Sequence, residues 1–182
     1  MKDLSQLPDD LPVPVDDGAC DHLEGLSIPS LLFRTSSDRS VDLSKSKDTV
    51  VIFFYPMIGN PDSPPMPDWN EIPGARGCTP QTCSYRDNYD QLAALNTTVY
   101  GVSSQAIEEQ QEAVSRLSLP FELLNDSDFK LTDSLQLPTF EYLDQKMIKR
   151  LTLVIVNGVI RKVFYPVFPP DQNVDQVLTW LN

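Results

Sequence analysis

Apolar residues change their spacing along this chain, and the changes divide it into elements. Val50 to Tyr55, VVIFFY, is an unbroken β-branched and aromatic run of the kind that forms a strand buried on both faces. Thr79 to Leu95 carries its apolar residues at helical spacing, and so does Ala106 to Leu117. Between the strand and the first helix, Pro56, Pro61, Pro64, Pro65, Pro67 and Pro73 exclude any regular element. Two short runs, Leu31 to Arg34 and Val41 to Leu43, flank the polar stretch Thr35 to Ser40 and predict a small hairpin. Further strands are expected at Thr97 to Ser103, Glu122 to Leu124, Leu151 to Val156 and Val159 to Tyr165, with a helical turn or two from Asp128 to Leu135. Asn157 and Gly158 form a strong hairpin signal between the last two strands. The chain closes on a helix from Asp171 to Leu181, with Asp171 as its cap and Val174, Val177, Leu178 and Leu181 on one face.

Strands and helices mixed in this order, ending in a hairpin and a terminal helix, describe an α/β fold with a central mixed sheet flanked by helices. Residues 1–27 read as an irregular arm, because Pro8, Pro12 and Pro14 block helix and acidic clusters keep the segment solvated. Residues 28–182 then form one domain, which 182 residues in all are enough to give a single well-buried core.

Charge narrows the function. Lys and Arg number 14 against 26 Asp and Glu, a net charge of -12 that repels phosphate backbones and anionic lipid alike. Nucleic acid and membranes are therefore not expected partners. The arm has no continuous apolar stretch that would serve as a secretory signal or membrane span, so a cytoplasmic location is the simplest expectation. Neither GxGxxG nor GxxxxGK occurs, which removes the glycine-rich phosphate loops. Three cysteines are too few for a disulfide framework, and with His22 in a distant arm they do not make a tetrahedral metal site. No metal or other cofactor is expected. Cys20 reads as an incidental thiol and His22 as a packing residue.

The chemistry lies in GARGCTPQTCSYRD, Gly74 to Asp87, where Cys78 and Cys83 follow the buried strand and its loop. A thiol attacks only as thiolate, and the first turn of a helix offers unpaired N–H groups and the positive dipole end to such a charge. Cys78 occupies that place. Arg76, two residues upstream, and Arg150, at the start of a strand expected beside Val50 to Tyr55, supply cations suited to hold both thiolate and substrate oxygen. Cys83 lies five positions after Cys78 on the helix, which puts their α-carbons roughly 8 to 9 Å apart and about 140° around the axis. A disulfide needs less than about 7 Å, so if these cysteines pair, the first turn must unwind, and Pro80 eases this because it donates no N–H.

GCTPQTCSYRDNY resembles the active-site helix of the peroxiredoxin Q group, also called the bacterioferritin comigratory proteins. The resemblance extends to VVIFFYP, VYGVSSQ, LPFELLNDSD and KRLTLVIVNGVIRKVF in the same order, covers roughly residues 28–182, and implies a thioredoxin-like fold. By it, Cys78 is the peroxidatic cysteine, Cys83 the resolving one that forms an intramolecular disulfide with it, and Arg150 the stabilising cation. Backbone N–H groups at Gly77 and Cys78 would bind the distal peroxide oxygen. The substrate would be hydrogen peroxide or an organic hydroperoxide, the reductant thioredoxin or a similar dithiol, and the assembly a monomer or weak homodimer.

Two positions depart from the family motif, which has a proline seven residues and a threonine three residues before the reactive cysteine. Here these are Glu71 and Ala75. Pro56, directly after the strand, is read as the equivalent proline, with Met57 to Ile72 inserted behind it. Without the threonine, Thr79 or a backbone group must orient the thiolate, or activity is weaker than the family norm. Met66 and Trp69 in the insertion are read first as packing the loop down and second as lining an apolar approach for organic hydroperoxides. Two other classes stay open: a disulfide exchanger or redox sensor on the same fold, which a CxxC motif would favour and this chain lacks, and a non-catalytic interaction domain.

Overall fold

A computed structural model describes residues 6–64 and 66–182. Five strands build the main sheet: β3 (Thr49–Phe54), β4 (Thr97–Ser103), β5 (Glu122–Asn125), β8 (Leu151–Val156) and β9 (Val159–Phe164), in the order β5-β4-β3-β8-β9. β3, β4 and β5 are parallel, while β8 runs antiparallel to β3 and to β9, so the sheet is mixed, as the sequence predicts. The small hairpin is β1 (Phe33–Arg34) with β2 (Ser40–Val41). A second hairpin, β6 (Thr139–Tyr142) with β7 (Gln145–Ile148), has no counterpart in the sequence expectations.

Side chains alternate across β3 and divide the core in two. Val50, Ile52 and Phe54 join Cys20, Leu23 and Ile28 of the leading segment on one face, together with Leu131 and Leu135 from α4 (Lys130–Ser134) and the residue that ends it. Val51, Phe53 and Tyr55 face the other way. There they meet Tyr85 of α1 (Cys78–Asp87), Leu92 of α2 (Tyr89–Ala94), Ala113 of α3 (Ile107–Leu117), and Val174 and Val177 of α5 (Asn173–Leu181). All six residues Val50 to Tyr55 are buried, which accounts for a run that is apolar without alternation. Gly101 in β4 leaves space for Phe53, whose ring stacks on Tyr85 at 4.5 Å; a Cβ there would lie 2.7 Å from the Phe53 ring. That stack seats α1 on the sheet.

Three local expectations are corrected. The helix expected from Thr79 to Leu95 breaks at Asn88 into α1 and α2, because the Asn88 side chain donates to the Ser84 carbonyl (2.9 Å) and competes with the helical ladder. Asp171 does not cap the last helix: the chain enters through a 3-10 turn, Pro170–Gln172, so α5 begins at Asn173 without a side-chain cap. Within the proline-rich loop one 3-10 turn does form, Trp69–Glu71.

Candidate active site

The register of two neighbouring strands brings the site together. Phe54 of β3 pairs with Leu151 of β8, so Arg150, one residue before β8, lies beside the carboxyl end of β3 where the chain turns toward α1. Cys78 is the first residue of α1, and Gly77 before it adopts φ 110. A side chain at Gly77 would be strained in that conformation and its Cβ would lie 2.4 Å from Pro170. Glycine therefore lets the helix start against the 3-10 turn that precedes α5.

Arg150 is only 3% exposed and uses its planar fork in several directions at once. Nε donates to the Gly74 carbonyl (3.2 Å), Nη2 to the carbonyls of Ala75 (3.1 Å) and Arg76 (3.4 Å), and Nη1 to the side-chain oxygen of Gln81. Nη2 also lies 3.1 Å from the Cys78 sulfur. Among the described residues no carboxylate pairs with this guanidinium. Its charge is balanced by carbonyl dipoles and is free to hold an anion on sulfur.

A buried polar chain fixes the arginine from behind. Gln81 donates to Asn173 Oδ1 (3.3 Å), which also accepts from the Tyr85 hydroxyl (2.7 Å) and the Thr152 hydroxyl (2.7 Å). Asn173 is fully buried at the start of α5. The chain thus links α1, β8 and α5 and allows the guanidinium one position.

At the place of the family threonine, Ala75 is buried and offers its carbonyl, which accepts from the Cys78 thiol at 3.6 Å. A backbone group rather than the Thr79 hydroxyl thus orients the sulfur. Thr79 is buried beside it.

An open cleft of about 880 Å³ reaches Cys78. Gly77, Cys78 and Thr79 form part of its wall, with the loop from Met57 to Glu71 on one side and α3 on the other. Gln105 holds that loop, accepting from the Ile58 N–H (2.7 Å) and donating to the Ile58 carbonyl (3.2 Å), while Arg116 of α3 donates to the Gly59 carbonyl (3.0 Å). Trp69 is 7% exposed and packs on Phe140 and Tyr142 of the β6-β7 hairpin, and Tyr142 donates to the Pro67 carbonyl (2.7 Å). Trp69 and Met66 therefore pack the loop and line the cleft together. Pro56 lies buried outside the cleft lining, its carbonyl accepting from the Ser103 hydroxyl (3.0 Å).

Cys83 sits half-buried on α1, and burial pushes its thiol above the ordinary range against the pull of Arg86. Arg86 pairs with Asp87 (2.8 Å) within α1 and donates to the Leu117 carbonyl (3.0 Å), a contact that ties α1 to α3. His22 contacts the Leu135 carbonyl at 2.8 Å, well away from the site. The leading segment reaches the site directly: Arg76 donates to the Gln6 carbonyl (3.2 Å), and Asp17 pairs with Lys149 (3.0 Å) and accepts from Tyr165 (2.9 Å).

Fold and site together define a class: a mixed sheet flanked by helices, with a cysteine opening the helix that follows the central strand and, on its sulfur, an arginine that directly precedes the adjoining strand. A Redoxin family model matches residues 23–178, and the chain belongs to that family. It is similar to the chloroplastic peroxiredoxin Q of Sedum lineare, 29% identical over 160 residues that span 87% of this chain and 77% of the relative. The thioredoxin-like fold is borne out by solved structures. Peroxidoxin BcpB of Mycobacterium tuberculosis superposes with a TM-score of 0.72 at 23% identity, covering 88% of this chain and 97% of that one. The bacterioferritin comigratory protein of Xanthomonas campestris, whose structures concern alkyl peroxide reduction, gives 0.68 at 17% identity over 94% and 97% of the two chains.

Sequence reasoning missed Gln81, Asn173 and Thr152. No motif marks them, since each is an ordinary polar residue until the fold buries it. A polar Gln between cysteines, on the side of α1 that carries Tyr85, was the available signal.

Proposed function

We propose that this protein is a thiol-dependent peroxidase of the peroxiredoxin Q type. One observation carries the reading: a thiol at the start of a helix, on the wall of an open cleft, lies 3.1 Å from a buried guanidinium with no carboxylate partner among the described residues. Membership of the Redoxin family and likeness to proteins named peroxiredoxin Q support it.

The Cys78 thiol gives its proton to solvent and the thiolate attacks one peroxide oxygen in line with the O–O bond. That bond breaks, the sulfur becomes a sulfenic acid, and the second oxygen leaves as water or alcohol after taking a proton. Arg150 holds the thiolate and the oxygen being transferred, while N–H groups of Gly77 and Cys78 take the negative charge that develops on the distal oxygen. The Cys83 thiol then condenses with the sulfenic acid, releasing water and forming a disulfide, and a thioredoxin-type dithiol reduces it by exchange. Because both cysteines stand on one helix roughly 8 to 9 Å apart at the α-carbons, the turn around Pro80 unwinds for that second step.

The test follows peroxide-dependent consumption of reduced thioredoxin. Cys78→Ser abolishes turnover and Cys83→Ser slows recycling; absence of turnover by the unmodified protein overturns the reading. Amide exchange across Thr79 to Tyr85 rises sharply in the oxidised form, and equal protection in both redox states would contradict the unwinding step.

A further inference from the structure

The cleft over Cys78 holds far more than a hydrogen peroxide molecule, since a water takes about 30 Å³ and the cleft measures about 880 Å³. A substituent on the peroxide must therefore lie between the proline-rich loop and α3. The loop presents Met57, Ile58, Met66 and Trp69 to that space. The ionisable groups lining it beyond the thiol are unequal in sign: Asp68, Glu71, Glu108, Glu109 and Glu112 against Arg76. The cation stands two residues from the thiol, so the negative charge lies where the substituent goes and not where the peroxide reacts.

Two of the acidic groups are held in place. Glu109 accepts from the Ala106 N–H at the start of α3 (3.1 Å), and Glu112 pairs with Arg116 (2.6 Å), the same arginine that secures the loop at Gly59. Glu71 and Glu108 are exposed and have no side-chain hydrogen bond or ion pair among the described residues.

We propose that this cleft selects uncharged hydroperoxides with an apolar substituent and discriminates against those whose substituent carries a carboxylate. The inference rests on the peroxidase reading above and adds the substrate class. An apolar group gains by covering the methionine and tryptophan surface. A carboxylate in the same place gains little of this and faces like charge across the cleft, a repulsion that salt screens.

Steady-state turnover of cumene hydroperoxide and of its para-carboxylate tests this, with hydrogen peroxide run alongside. At low ionic strength the neutral compound is expected to show kcat/KM about tenfold higher, and in roughly 1 M salt the ratio falls to within about twofold, because screening there acts over about 3 Å. The double variant Glu71→Gln/Glu108→Gln, which disturbs no hydrogen bond of the fold, lowers the low-salt ratio to about threefold or less. It leaves most of the chain's net charge of -12 in place, so an unchanged ratio would trace discrimination to general repulsion and overturn the assignment. Equal turnover of the two compounds, or a ratio indifferent to salt, overturns it as well. Turnover of hydrogen peroxide by the unmodified protein keeps these results separate from failure of the peroxidase reading; without it both proposals fall.

Discussion

Cys78 and Cys20 are almost equally buried, 3% and 5% exposed, yet their surroundings are opposite. Cys78 opens a helix, touches Arg150 and borders a cleft. Cys20 packs among Leu23, Ile28 and Phe33, and burial pushes its thiol up to about 12, with Asp17, Asp16 and Asp21 adding to the effect. Two thiols with the same exposure are thus prepared for different fates by where the fold puts charge. Burial alone does not make a thiol inert, and proximity to solvent does not make it reactive. At Cys20 burial acts first and the acidic neighbours add to it, whereas at Cys78 a buried guanidinium stands 3.1 Å from the sulfur.

The largest test of this contrast removes the cation. Arg150→Met should lower kcat/KM for hydrogen peroxide by about 10²- to 10³-fold, the usual cost of one charge-stabilising donor. Lysine at 150 should not restore it, because a single ammonium cannot serve the Gly74 and Ala75 carbonyls, Gln81 and the sulfur together.

Next comes the support behind Arg150. Asn173→Leu strips Tyr85, Thr152 and Gln81 of their shared acceptor in a buried place. A stability loss of about 3 kcal/mol in urea denaturation is expected, along with slower peroxide reduction as the guanidinium loses its fixed position.

On the other side of the contrast, Cys20→Ala should leave peroxide turnover unchanged and cost about 1 kcal/mol of stability, the price of a small cavity. A peroxidase defect in that variant would show that the two regions are not independent.

The smallest effect concerns the leading segment. Lys149 and Tyr165 hold the Asp17 carboxyl at about 2, below its ordinary 3.8. A carboxyl depressed in the folded state stabilises above its unfolded value and loses that contribution as pH falls through the folded one, so docking of the segment weakens between about pH 4 and pH 2. Asp17→Asn should reproduce this loosening at neutral pH, seen as faster amide exchange at Gly18 and Ala19, whose N–H groups now contact Asp16 and Asp17.

Much of this was readable from the chain because local signals and tertiary structure agree. Val50 to Tyr55 is apolar on both sides because both faces of β3 are covered, and Asn157 with Gly158 adopts the positive φ angles, 51 and 74, that their turn type needs. The β6-β7 turn was not legible, since it places Leu143 and Asp144 at φ 46 and 61 and leucine is no turn signal. Cys78 and Arg150 were legible as chemistry because few residues do what they do. Gln81 and Asn173 were not, because their role arises only once α1, β8 and α5 converge. Ala75 was visible as a departure from the motif, but that its carbonyl takes up the thiol depends on the loop's path.

The buried guanidinium beside Cys78 is what separates it from Cys20, and on the peroxidase proposal it makes Cys78 the thiol that peroxide oxidises. Reduced Cys83→Ser protein, mixed with one equivalent of hydrogen peroxide and a dimedone-type sulfenic acid probe, tests it by peptide mass spectrometry. A dimedone adduct on Cys78 with Cys20 unmodified is expected; comparable modification of Cys20, or no adduct on Cys78, would contradict the contrast between the two thiols.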